Sequence, residues 1–310
     1  MNEAISEMLK KVSSENLKKH LYYIAKDPLP FRKVNYTVPG HSKNTLDEAD
    51  DFLQARLEEY GYTVEKEELK VKAFSRDESK PKSHQYSFPP AESPWHTAYN
   101  IYARKKGVEF PEKIMVVISH KDSQSWVDSP AAYDNATGTV ASLEISRVLQ
   151  DYRARHSIWF VFCNEEHVPW TSVAAAERAK ARGDNITTVF NIDTIGGKSQ
   201  ADIDAGNKTS AVLYTTEPDG KRLAEIVTKA NTDYGIGLKH TEYKRQAPGD
   251  DDGSFVKAGY TAAIALFGSY PYADPEYHKE GDSADRVDIE NVFLATKLAL
   301  AGILEIDSIE

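Results

Sequence analysis

A single cysteine in 310 residues rules out an internal disulfide and any thiolate metal cluster. That residue, Cys163, ends the apolar stretch Ser157-Ile-Trp-Phe-Val-Phe-Cys163, so an inert core thiol is expected. Long hydrophobic runs are also missing. The longest, residues 158–163 and 262–267, fall far short of the roughly 20 residues that cross a bilayer, so no membrane partner is expected. Lys and Arg form no block, and the net charge is -10, which excludes nucleic acid as an expected partner. No basic segment followed by an apolar one appears after Met1, so the chain is expected to be cytoplasmic or the mature form of an exported protein. Internal repeats and long linkers are absent too, and residues 1–310 are expected to form one domain. A hydrophobic content of 40% fits a globular protein.

The order of elements sets the fold class. Residues 2–26 place Ile5, Met8, Leu9, Val12, Leu17 and Leu21 at helical spacing. Residues 44–60 predict a second helix, ended by Gly61, and 62–74 alternate as a strand. The polar, Pro-rich stretch 75–96 predicts a long loop or irregular hairpin. From there, strands are predicted at 113–119, 157–163, 188–192, 211–215 and 261–267. Helices are predicted at 139–152, 172–182, 220–232 and 289–306. This alternation implies an α/β fold: a mixed, mostly parallel central sheet with helices on both faces.

In such sheets ligands bind beyond the carboxyl ends of the strands. His120 follows the strand ending at Ser119, Glu165 and Glu166 follow the one ending at Cys163, and Asp193 follows 188–192. Asp134 lies in a loop before a helix, and His278 in the loop after 261–267. His120, Asp134, Glu166, Asp193 and His278 could together hold two metal ions, leaving Glu165 over as a base for water. Asp122 is two residues from His120. In extended chain both point to one side, so Asp122 can accept the second ring N–H of a ligand histidine and fix its tautomer.

The stretches Ile118-Ser-His-Lys-Asp-Ser123, Ser129-Pro-Ala-Ala-Tyr-Asp-Asn-Ala-Thr-Gly138, Asn164-Glu-Glu166, Asn191-Ile-Asp193 and Tyr277-His-Lys-Glu-Gly-Asp-Ser283 carry a resemblance. Between about residues 100 and 288 the chain resembles the dinuclear-zinc exopeptidases, which include bacterial leucyl aminopeptidases, glutamate carboxypeptidases and glutaminyl cyclases. The resemblance implies that Asp134 bridges two Zn2+ ions, with His120 and Asp193 completing one site and Glu166 and His278 the other. It implies Glu165 as general base and a cis peptide bond between Asp134 and Asn135. Co2+ or Mn2+ could replace zinc in so carboxylate-rich a shell.

The expected activity is that of a metal-dependent exopeptidase, an aminopeptidase that hydrolyses the N-terminal bond of a peptide or small amide. Alternatives on the same centre are a carboxypeptidase or aminoacylase-like hydrolase, a one-zinc glutaminyl cyclase, and a binding module without catalysis. Lys244 and Arg245 keep a carboxylate-bearing substrate open. The short segment after Glu166 and the Tyr277 before His278 favour a peptidase over a cyclase. The chain departs from the family pattern at Lys121, at His167-Val-Pro-Trp-Thr171 and at Gly249-Asp-Asp-Asp-Gly-Ser-Phe255, all expected on the substrate rim. Asp250, Asp251 and Asp252 are expected in a solvated turn, with an ammonium anchor as the alternative. Trp126 and Trp170 are either an apolar wall or ordinary packing, and Tyr243 is the one candidate for oxyanion stabilisation. The sequence carries no signature of an oligomeric state.

Overall fold

The computed structural model describes residues 2–309. In chain order the elements begin with helices α1 (Glu3–Leu9), α2 (Ser14–Ala25) and α3 (Thr45–Glu59). Strands β1 (Val64–Ala73), β2 (Ser75–Arg76), β3 (Tyr86–Ser87), β4 (His96–Lys105) and β5 (Phe110–His120) follow. Then come α4 (Thr137–Val148), β6 (His156–Cys163), β7 (His167–Val168), α5 (Thr171–Arg182), β8 (Ile186–Ile192), α6 (Gln200–Asp204) and β9 (Thr209–Tyr214). The chain closes with α7 (Asp219–Asp233), β10 (Lys239–Lys244), α8 (Asp250–Lys257), β11 (Ala263–Phe267) and α9 (Ile289–Ser308).

The first predicted helix is two. Ser13 adopts extended backbone and its side chain accepts from Asn16 N, so a new helix starts there and turns the chain. Asn44 caps α3 in the same way, accepting from Asp47 N. Strands β4 and β10 and helix α8 are additions to the predicted set.

Nine strands form one sheet in the order β10-β9-β11-β8-β5-β6-β4-β1-β7. Its centre, β11-β8-β5-β6, is parallel. Antiparallel pairings of β11 with β9 and of β6 with β4 mark the change toward each edge. The central strands are buried on both faces. On β5, Met115 and Val117 face the larger core, packed by α1, α2, α3, α4, α7 and α9, while Ile114, Val116 and Ile118 face a smaller core under α5 and α8. The parallel strands therefore end together on one edge, where His120, Cys163, Ile192 and Phe267 hand over to loops. No helix among the described residues is long and apolar enough to cross a membrane.

Candidate metal centre

His120 is the last residue of β5, and its ring is fixed at both nitrogens. Nδ1 lies 3.2 Å from Asp122 Oδ1, and Nε2 lies 3.2 Å from Asp134 Oδ1 and 3.6 Å from Asp193 Oδ1. His278 reaches the same aspartate from the other side. Its Nε2 is 3.2 Å from Asp134 Oδ2 and 3.2 Å from Glu166 Oε1. Asp134 thus offers one oxygen to each of two buried triads, His120–Asp134–Asp193 and Asp134–Glu166–His278. Within each triad the candidate ligand atoms lie within 4.8 Å of one another.

Local structure explains why Asp134 can face both ways. The Asp134–Asn135 peptide bond is cis. Asp282 accepts from Tyr133 N (2.8 Å) and Asp134 N (3.1 Å), tying down the backbone that leads into Asp134. Asn135 Oδ1 accepts from Gly138 N and Thr194 N, and its amide donates to Ile192 O. A side chain at residue 138 would meet Ile192 O at 2.1 Å, so only glycine lets α4 start against β8. Four of the pocket-lining residues, Thr194, Asp250, Tyr272 and His278, have positive φ without being glycine. Such backbone costs roughly 1–3 kcal/mol per residue and clusters at functional sites.

Asp122 is the hub behind the ligands. Besides His120, its carboxylate accepts from Glu165 N (3.0 Å), Glu166 N (2.9 Å) and the Nδ1 of His167 (2.7 Å). Burial would raise its pKa, but the hydrogen bonds and charge of His120 and His167 hold it well below the usual carboxylate range. Arg32, which carried no signal in the sequence, is fully buried one layer further back. Its guanidinium donates to the carbonyls of Lys121 (2.7 Å), Ile24, Pro130 and Ala131 (2.8 Å each). It therefore clamps α2, the end of β5 and the loop before Asp134 to one another.

The pocket at this centre has a volume of about 180 Å³. Glu165 opens onto it with Oε2 lacking a hydrogen-bond partner, as does Asp193 Oδ1. Burial, with Asp251 and Asp250 nearby, raises Glu165 well above the usual carboxyl range, and burial raises Asp193 to about 7. Burial would lower His278, but Glu166 and Asp134 outweigh it and lift the imidazole to about 10. Buried acids with orphaned oxygens, meeting two imidazoles, fit the donor set of a metal centre.

Several expected rim residues lie elsewhere. Lys121, just past the end of β5, is wholly buried, donating to Asn164 Oδ1 (2.7 Å) and pairing with Asp50 (2.9 Å). His167 stands behind Asp122. The run of three aspartates is no solvated turn but the buried first turn of α8. Cys163 Sγ donates to Asp251 (3.0 Å), while Arg245 binds Asp250 (2.6 Å) and Asp252. Arg245 is thereby neutralised and leaves no positive charge for a substrate carboxylate. Tyr243 stands on edge strand β10 against Tyr270, outside the pocket lining. Trp170 lines the pocket, whereas Trp126 is buried beside Tyr86 and does not. Tyr277 stacks on His278 at 4.0 Å and on Tyr272 at 4.7 Å, and Tyr272 donates to Asp250 (2.8 Å).

Residues 100–302 match the model of peptidase family M28. A probable zinc metalloprotease of Pyricularia oryzae is 26% identical over 245 residues, covering 65% of this chain and 48% of that protein. Leucine aminopeptidase 1 of Sclerotinia sclerotiorum is 26% identical over 206 residues, covering 62% of this chain and 52% of its own length. The chain spans about half the length of these two relatives. Among solved structures, the aminopeptidase from Aneurinibacillus sp. strain AM-1 shares the fold with a TM-score of 0.72 at 14% identity, over 97% of this chain and 95% of that one. The family match covers all five candidate ligands, both glutamates after β6 and the Asp122 hub, and the chain belongs to peptidase family M28.

Proposed function

We propose that this chain is a zinc-dependent aminopeptidase, with residues 1–310 acting as one catalytic domain. The observation that carries the reading is Asp134, which presents one oxygen to each of two buried triads beside Glu165, a lining residue of the same pocket whose buried Oε2 has no hydrogen-bond partner. In this reading His120 and Asp193 would hold one zinc, Glu166 and His278 a second, and Asp134 would serve both. The names of four relatives, each a probable zinc metalloprotease, and of the Bacillus subtilis zinc aminopeptidase among the structural neighbours support zinc as the metal. The ions, when bound, supply Lewis acidity toward water and the scissile carbonyl.

Glu165 Oε2 then takes the proton of the attacking water and returns it to the leaving amine, so one carboxylate serves as base and then as acid. Asp122 keeps His120 Nε2 toward the centre by accepting from Nδ1. Direction along the substrate follows from charge. Asp134, Glu165, Glu166 and Asp193 line the pocket, and Arg245 is already bound by Asp250 and Asp252. A free α-ammonium is stabilised there, whereas a C-terminal carboxylate is repelled.

The test incubates zinc-loaded protein with a peptide bearing a free N-terminus, its N-acetylated twin and a peptide beginning with Gln, read by mass spectrometry. Stepwise loss of N-terminal residues from the free peptide, with the acetylated twin intact, is the expected result. Ammonia loss from the Gln peptide without cleavage would make the chain a cyclase, and trimming from the C-terminus would reverse the assigned direction.

A further inference from the structure

A second cavity adjoins the catalytic pocket and has a different character. It is a groove of about 470 Å³ between the β2–β3 hairpin and the segment after Glu166. Phe74, Tyr86 and Trp170 line both cavities, so the two are continuous through three aromatic side chains. Beyond them Phe88, Val168 and Val173 carry the apolar lining outward. Phe88 is 79% exposed, the largest exposure of any large apolar side chain among the described residues.

The groove is a built feature. β7 pairs with the end of β1, Lys72 against Val168 and Ala73 against His167, so the root of the hairpin is hydrogen-bonded to the segment that follows Glu166. Phe74 and Tyr86 meet edge to face at 5.5 Å, and Tyr86 in turn lies edge-on to His278 at 5.3 Å. An apolar surface fixed against a candidate metal ligand, yet open to water, is stabilised by an apolar partner.

Charge sets which part of a substrate that partner is. Asp193 joins His120 in one triad, whereas Tyr86 lies edge-on to His278 in the other, so an acidic end and an aromatic end lie across Asp134 from each other. A peptide whose ammonium sits at the acidic end crosses the centre at its first amide bond and continues toward the aromatic end. We infer that the groove binds the side chain of the second residue, on the leaving-amine side of the cleaved bond, and selects peptides in which that residue is aromatic or a large aliphatic. The inference rests on the aminopeptidase reading for its direction, while the groove's affinity for an apolar side chain does not.

The experiment separates the two. Zinc-loaded full-length protein is assayed with Leu-Phe-Gly and Leu-Gly-Gly, as wild type, Phe88→Ser, Val173→Ser and the remote surface control Val108→Ser. Burying a phenylalanine side chain is expected to raise kcat/KM for Leu-Phe-Gly roughly 10- to 100-fold over Leu-Gly-Gly. That ratio should fall toward one in Phe88→Ser and Val173→Ser and stay at the wild-type value in Val108→Ser. In parallel, L-phenylalanine amide and glycinamide are titrated while the indole N–H signal of Trp170 is followed by NMR. The phenylalanine amide alone should shift it, and Phe88→Ser should weaken that shift. A Trp170 response with no peptide cleaved would sink the aminopeptidase reading and uphold the groove. A wild-type ratio near one, a ratio unchanged in both groove variants, or equal response to the two amides overturns the inference.

Discussion

Glu165 and Glu166 are neighbours in sequence, yet Asp122 holds both backbone N–H groups and their side chains face different tasks. Glu166 lies 3.2 Å from His278, while Glu165 Oε2 has no partner. Glu165→Gln keeps the shape and removes the proton acceptor. It should retain two equivalents of zinc by elemental analysis and lose roughly 10²–10⁴-fold in kcat. Near-normal turnover in that variant would remove Glu165 from the mechanism. Asp134→Ala removes the oxygens shared by both triads, so it should lose both zinc ions, and two equivalents retained would rule out the bridge. Glu165 and Glu166 were legible because they follow a strand whose apolar run ends visibly, and independent strand ends of a parallel sheet must converge, whereas Asp134 was read from its loop before a helix. The buried aspartates were not legible. Asp250, Asp251 and Asp252 carry the composition of a surface turn, and partners distant in sequence, among them Tyr272 and the thiol of Cys163, 88 residues away from Asp251, join Arg245 in making their burial tolerable.

Elements came through the sequence where one periodicity dominates. The double-sided apolar strands at β5, β6, β8 and β11 and the amphipathic helices α3, α4, α7 and α9 were all predicted within a few residues. β4 was missed because it follows a Pro-rich stretch, and β10 because an exposed edge strand shows little apolar pattern. Arg32 was invisible for a different reason: its partners are carbonyls, which every residue carries. Its role is to join elements. Arg32→Met should leave four buried carbonyls short of a donor and cost on the order of 3 kcal/mol in urea unfolding, with weaker zinc retention because the loop before Asp134 is loosened. An unfolding midpoint equal to wild type would show that the clamp carries no load. At the far edge, His240 on β10 lies between the hydroxyls of Ser210 (2.7 Å) and Thr228 (3.2 Å), and burial lowers it from 6.5 to about 4. A lowered imidazole is protonated more readily in the unfolded chain, so its contribution is whole above pH 6.5 and is lost as pH falls through 4. After allowance for partial exposure, the loss is on the order of 1–2 kcal/mol. His240→Gln should therefore flatten the decline in unfolding free energy between pH 6.5 and 4. An unchanged slope would assign that decline to other groups.

At the scale of the whole molecule, the edge that gathers the strand ends also gathers negative charge in the interior. Burial raises Asp193 and Asp252 to about 7 and carries Glu165 and Asp282 well above the usual carboxyl range. Without cations, each of these groups binds its proton more tightly in the folded chain than in the unfolded one. For Asp193 and Asp252 the favourable contribution is complete below the unfolded value near 4 and is lost as pH rises through about 7, and Glu165 and Asp282 act in the same direction. His278, lifted to about 10, acts in the same direction, since its contribution is complete below 6.5 and lost as pH rises toward 10. The metal-free protein should accordingly melt at steadily lower temperature from pH 5.5 to pH 8.5. Zinc binds only the deprotonated ligands of the folded state, so its stabilisation grows over the same range. Calorimetry of chelator-treated and zinc-loaded protein at pH 5.5, 7 and 8.5 should show a gap in melting temperature that widens with pH. A gap that is constant or narrows would mean that the buried carboxylates find their compensation within the protein itself, and the five proposed ligands would then be a folded polar network rather than a metal centre.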